Sequence, residues 1–282
     1  MHNLLKADFY RARRDKLLLI GLIVAVGLVL FQILMVKGLV MASGAGDADA
    51  ETVSNMLGTS GLAMWFNGIS IMGNTTQYII PIFLTIFFVK EFSDRTIRNK
   101  LIVGYSRTQI FFSIIIVHAV VSVIFYLAVS LIGLLFGSVL FGFGTAFNGS
   151  TFSLMIVGFL IEFLLSYVLI GFAIIFSINK QSIVLGIVIP IVVATIISLL
   201  GTVAMFVNPD FEKVLSFFNF YQASEIQGFK YIEQLVQTHW IDLEEGISLP
   251  LNPLARFLLV TPAVIVIEFV VGFLRFKKIQ FK

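Results

Sequence analysis

Residues 90–109, KEFSDRTIRNKLIVGYSRTQ, form a polar island between two long apolar runs and hold five of the chain's nineteen lysines and arginines. The punctuation of this stretch predicts two helices in succession. Ser93 is placed to cap the first, with Asp94 in the opening turn where a carboxylate suits the helix dipole. That helix is expected to run to about Val103 and to end at Gly104, because glycine accepts the left-handed conformation of a C-terminal cap. Ser106, with Gln109 three residues on, has the spacing of a capping box, and a long apolar run follows. Ile97 and Leu101 share one face of the short helix, while Arg95, Arg98 and Lys100 lie on others. The island therefore predicts a short amphipathic helix joined by a tight elbow to a membrane span, its charged side turned toward a soluble partner.

Working outward, the composition agrees with a membrane setting. Hydrophobic residues make up 59% of the 282 and charged ones 12%, about half the charged share of an ordinary globular chain. The chain has thirty Phe and no Cys, so neither disulfides nor thiolate-held metals stabilise it. The first apolar run lacks a small-residue cleavage site and reads as a retained span rather than a signal peptide. The expected fold is an all-α integral membrane protein with six transmembrane helices, an N-terminal interfacial helix and a cytoplasmic helix after span 2.

Residues 1–16 are basic, with Leu5, Phe9 and Ala12 at helical spacing, as in a helix lying along a membrane surface. Span 1 is expected at 17–36, an uncharged stretch long enough for a hydrocarbon core of about 30 Å. The small, acidic segment after it reads as an outer loop. Span 2, at 69–89, must borrow Asn74, Thr75, Thr76 and Gln77 into its outer part. Those four residues fit a polar lining of a substrate path and fit equally a helix that starts at the headgroups. Span 3, at 110–143, is longer than a perpendicular crossing requires, and its Gly133 and Gly137 make a small-xxx-small pair suited to seating another helix. Spans 4, 5 and 6 are expected at 151–178, 183–207 and 254–274. Between the last two, residues 208–252 hold seven of the sixteen acidic residues amid many aromatics. That extracellular loop reads as short helices packed on the outer mouth, or as a re-entrant hairpin.

Charge sets the expected orientation. The N-terminal tail, the island, Lys180 and the C-terminal tail carry fifteen basic and four acidic residues, while the opposite side carries four basic and ten acidic. The positive-inside rule then places both termini and the island in the cytoplasm of a multi-pass plasma-membrane protein. The two remaining acids, Glu162 and Glu268, fall inside spans 4 and 6. An intramembrane carboxylate costs a few kcal/mol, so each is a candidate for a substrate or coupling role as well as for a hydrogen bond inside the bundle. His118 in span 3 belongs with them, read as hydrogen-bonded in the bundle or as a proton relay. The chain has no Gly-rich phosphate loop, H-E-x-x-H or G-x-S-x-G, which leaves no catalytic residues, no metal site and no bound cofactor to expect.

The island also carries a resemblance. Glu91-Phe92-x-x-x-Thr96-Ile97-Arg98-Asn99-Lys100-Leu101, followed by Gly104-Tyr105-Ser106-Arg107, resembles the segment after the second span in permeases of the ABC-2 type transporter family. The layout of a basic helix, six spans and cytoplasmic ends is similar as well. The resemblance implies two permease subunits, as a homodimer or with a related paralogue, working with two copies of a separate ATPase that binds ATP and Mg. It also implies that the island is a coupling helix seated in a cleft of that ATPase. By position, Glu91, Arg95, Thr96, Arg98, Leu101 and Arg107 are the implied contacts, although Arg95 stands where many relatives have Gly.

The function expected on these grounds is the permease subunit of an ATP-driven exporter, with no enzyme activity of its own. Its cargo would be an amphipathic or hydrophobic molecule, such as a peptide, antimicrobial or drug. Membrane lipid is an expected partner and nucleic acid is not. Two other readings stay open: a proton-coupled secondary transporter using Glu162, Glu268 and His118, and a non-transporting immunity or sensor protein that binds its ligand through 208–252.

Overall fold

A computed structural model of the protein describes residues 1–42, 60–67, 75–93, 96–144, 149–180 and 253–278, with scattered positions between 184 and 196. These form α1 (His2–Arg14), α2 (Lys16–Ala42), α3 (Gly61–Asn67), α4 (Thr75–Ser93), α5 (Thr96–Ile102), α6 (Arg107–Phe141), α7 (Gly149–Lys180) and α8 (Pro253–Lys278). No strand occurs among the described residues. An all-helical answer follows from the composition, because a helix satisfies its own backbone polar groups in an apolar surrounding.

Among the described residues, four segments are long and apolar enough to cross a membrane: Lys16–Ala42, Arg107–Phe141, Thr151–Phe176 and Phe257–Lys278. They correspond to expected spans 1, 3, 4 and 6, the first clearly longer than anticipated and the others within two residues of the expected length. Helix α4, whose 19 residues rise about 28 Å, overlaps the stretch expected for the second span. The fifth, at 183–207, and the 208–252 loop fall outside the described residues apart from the few positions noted.

The spans pack through narrow stripes. On α2 the buried residues are Leu18, Gly21, Ala25, Val29, Gln32, Ile33 and Val36, which recur on one face, while Leu19, Ile20 and Ile23 point outward and are more than half exposed. Small residues on the inward face permit close approach: a Cβ at Gly21 would lie 2.6 Å from the ring of Phe83 on α4. On α6 the inward face runs from Ile110 to Gly137. It is held by a hydrogen bond between Tyr126 and Ser166, and the Tyr167 hydroxyl donates to the Ile115 carbonyl at 2.9 Å.

The Gly133 and Gly137 pair does seat a helix, but a short one that the sequence does not announce. Cβ atoms there would sit 2.5 Å from the Met64 carbonyl oxygen and 2.6 Å from the Met64 side chain, so α3 rests on the glycines themselves. Gly61 N–H donates to the Gly142 carbonyl at 2.7 Å, Leu62 N–H to the Phe143 carbonyl at 3.2 Å, and the Trp65 indole to the Met155 carbonyl at 3.1 Å. These bonds join α3 to the end of α6 and the start of α7. The segment 60–67 thus closes one end of the bundle, where Lys37 also donates to the Leu140 carbonyl at 3.3 Å.

The other end gathers the basic segments. Arg107 at the start of α6 donates to the Phe276 and Lys277 carbonyls near the end of α8, at 3.4 and 2.6 Å. Arg275 donates to the Ile175 carbonyl of α7 at 3.1 Å. Helices α1 and α5 and the end of α4 meet at this same end.

Candidate functional site

The elbow after α5 has the geometry its residues dictate. Gly104 takes a φ of 100°, and the Gly104 and Tyr105 N–H groups close back on the Leu101 and Lys100 carbonyls at 3.0 and 3.2 Å. Ser106 and Gln109 form a complete capping box at the start of α6, with bonds of 3.1 and 3.2 Å. The start of the short helix differs from expectation. Ser93 is the last residue of α4 rather than a cap, and α5 begins at Thr96 and ends at Ile102. The apolar and polar residues run on from span 2 without a break strong enough to stop its helix at Lys90.

The larger difference lies in where the charges point. Lys100 faces inward with Ile97 instead of lying on an outer face. Its ammonium is only 9% exposed and sits 2.7 Å from Asp8 on α1 and 2.9 Å from Glu91 on α4. Glu91 also pairs with Arg11 of α1, and Asp8 accepts a hydrogen bond from Ser113 of α6 at 2.6 Å. Four helices are thereby tied by two carboxylates, two cations and a hydroxyl. Opposite charges and satisfied oxygens make burial tolerable here, whereas removing one member would strand another.

That cluster also sets the rotation of α1. The buried residues are Leu4, Asp8 and Ala12, while Leu5 and Phe9 are half-buried. The inward face is thus turned from the anticipated Leu5, Phe9 and Ala12 stripe, because Asp8 is neutralised by Lys100 and need not face water. Above the cluster the Arg11 guanidinium lies 4.9 Å from the Phe87 ring centre, and Phe87 in turn touches His118.

The residues implied as partner contacts separate into groups. Arg98 is exposed on α5, Thr96 and Leu101 are half-buried, and Arg107 is directed to the end of α8. Glu91 is buried at 2% exposure and committed to Arg11 and Lys100, so its carboxylate does not face outward. Arg95 lies outside the described residues.

Of the intramembrane candidates, His118 and Glu268 share no hydrogen bond. His118 is buried against Phe87 and Phe88, with ring centres 5.6 and 5.7 Å away. Neither of its ring nitrogens has a hydrogen-bond partner among the described residues. Glu268 is buried against Gly171 of α7, and its carboxylate oxygens likewise have no partner among the described residues. Glu162 belongs to α7 with its side chain outside the described set. Asn74 also lies outside it, and Thr75, Thr76 and Gln77 open α4 with undescribed side chains. No cluster of His, Cys, Asp or Glu suited to a metal occurs among the described residues.

Asp8, Arg11, Lys100 and Ser113 escaped the sequence reading as site residues. Their only signal was Asp8 recurring at four-residue spacing with Leu4 and Ala12, and an acid on that face reads as solvent-facing until its cation is located.

Residues 4–201 match the family model of the ABC-2 family transporter proteins. The chain belongs to that family. The match runs from α1 through the island and across the first four expected spans, and so includes every member of the buried ion cluster. Comparison with curated proteins and with solved structures gave no match. Membership makes this ABC-2 protein a membrane transport subunit of the permease type and implies an ATPase partner.

Proposed function

We propose that this ABC-2 protein is the permease subunit of an ATP-driven exporter, with α5 as the helix that receives movement from the ATPase. The observation that carries this reading is the inward commitment of Lys100. A short exposed helix held only by apolar contact could shift alone, whereas α5 is tied by buried ion pairs to α1 and to the end of α4. Displacing α5 therefore moves those helices with it. Arg98, exposed on the same helix, is left to meet an acidic cleft. In this reading the basic end lies in the cytoplasm, following the distribution of Lys and Arg. Two permease chains act with two ATPase copies that bind ATP and Mg, and the cargo is an amphipathic or hydrophobic molecule. The test is co-purification of the full chain with an ATPase subunit from its native host. A stable complex with ATP turnover that rises on adding the permease is the expected result, and separate elution with unchanged turnover refutes it.

A second reading, proton-coupled transport, is favoured by Glu268, a buried carboxyl without a described partner. Transport in vesicles under a proton gradient without nucleotide would establish it in place of the first.

A further inference from the structure

Where α1 turns into α2, the structure opens a cleft of about 490 Å³ whose rim carries Arg11, Arg14, Lys16 and Lys90 beside Asp15 and Glu91. Pairing disposes of most of this charge. Glu91 is held by Arg11 and Lys100, Asp8 by Lys100, and Asp15 by Lys90 at 3.3 Å. Three carboxylates and three cations thus compensate one another. Arg14 and Lys16 are left over, both exposed and neither within ion-pair distance of a carboxylate among the described residues. Arg14 is steadied over the Tyr10 ring at 4.6 Å, and Tyr10 itself lines the cleft.

The elbow that presents these cations is braced. Asp15 accepts a hydrogen bond from the Leu17 N–H at 2.8 Å, capping the first turn of α2 and keeping Lys16 at the rim. Beyond Lys16, the outward Leu19, Ile20 and Ile23 belong to a helix long and apolar enough to cross a membrane. In a bilayer that surface is covered by acyl chains, so the cleft stands at headgroup depth beside them. A guanidinium and an ammonium with no internal counter-ion suit a phosphate, to which arginine offers two parallel N–H bonds. A zwitterionic headgroup would bring its own cation to the same rim.

We propose that this cleft binds the phosphate of an anionic membrane lipid, with Arg14 and Lys16 as its cations and the acyl chains lying along the outward face of α2. The site is independent of the ATPase contact, since Arg98 takes no part in it. In the test, full-length protein in an uncharged detergent is titrated with phosphatidylglycerol, phosphatidylcholine or inorganic phosphate, and bound lipid is followed by native mass spectrometry. Saturable retention of phosphatidylglycerol but not phosphatidylcholine is expected. Arg14→Ala with Lys16→Ala should weaken it about 25-fold, roughly fivefold for each charge removed. Lys6→Ala with Arg13→Ala removes the same charge from exposed positions of α1 outside the cleft and should leave retention unchanged. Equal losses in both double variants would mean diffuse attraction to a basic surface and would overturn the proposal. Displacement of the lipid by inorganic phosphate would overturn it in favour of a soluble anion.

Discussion

The ammonium of Lys100 on the short helix α5 lies 2.7 Å from the carboxylate of Asp8 on the N-terminal helix, and both side chains are almost wholly buried. This contact joins the first helix of the chain to the island that precedes α6. It ties α1 directly to the proposed coupling helix.

Lys100→Met should therefore lower stability by about 3–5 kcal/mol, the usual loss when one partner of a buried ion pair is removed. Combining it with Asp8→Asn should cost less than the sum of the two single changes, with a coupling of about 1–3 kcal/mol. Thermal unfolding of the four proteins in detergent measures both quantities. Additive losses would mean that the two side chains do not support each other.

Arg98→Glu should leave the unfolding temperature unchanged, because Arg98 is exposed and has no ion pair among the described residues. It should weaken association with the ATPase and abolish permease-stimulated turnover. Wild-type complex formation by this variant would remove α5 from the contact.

At the opposite end, Gly137→Val should destabilise the bundle by about 1–3 kcal/mol, since overpacking forces backbones apart. Even a Cβ there would stand 2.6 Å from Met64. Gly27→Val, on a face of α2 with no atom within 4 Å, is the matched control and should change little. Trp65, packed beside Met64, supplies a fluorescence signal for loss of α3 from its seat.

Gly171→Ala should destabilise the contact between α7 and α8, because its methyl group would collide with the Glu268 carboxylate. Adding Glu268→Ala should restore most of that loss by emptying the space. Glu268→Gln alone keeps the shape and removes the ionisable group, so normal membrane levels are expected. Export by Glu268→Gln at the wild-type rate would separate a packing role from a coupling one.

Much of the island is legible in the sequence. The Ser106 capping box and the positive φ of Gly104 depend on side-chain and backbone chemistry within a few residues, and they hold as the spacing implies. The helix boundary at Ser93 and Thr96 was less legible, because a polar residue permits a cap without requiring one. Gly133 and Gly137 announced that something approaches α6 closely, but only the structure identifies α3 as what does so.

Composition, helical periodicity and the distribution of Lys and Arg determined an all-helical membrane protein with a basic end, since each is a property of a segment and its solvent. The tertiary structure decided which charges face that solvent. Lys100, Asp8 and Glu91 each read as surface residues on their own helices, because a single buried charge is prohibitively costly. They turn inward only because three helices bring opposite charges within 3 Å of one another, a distance that no local pattern encodes.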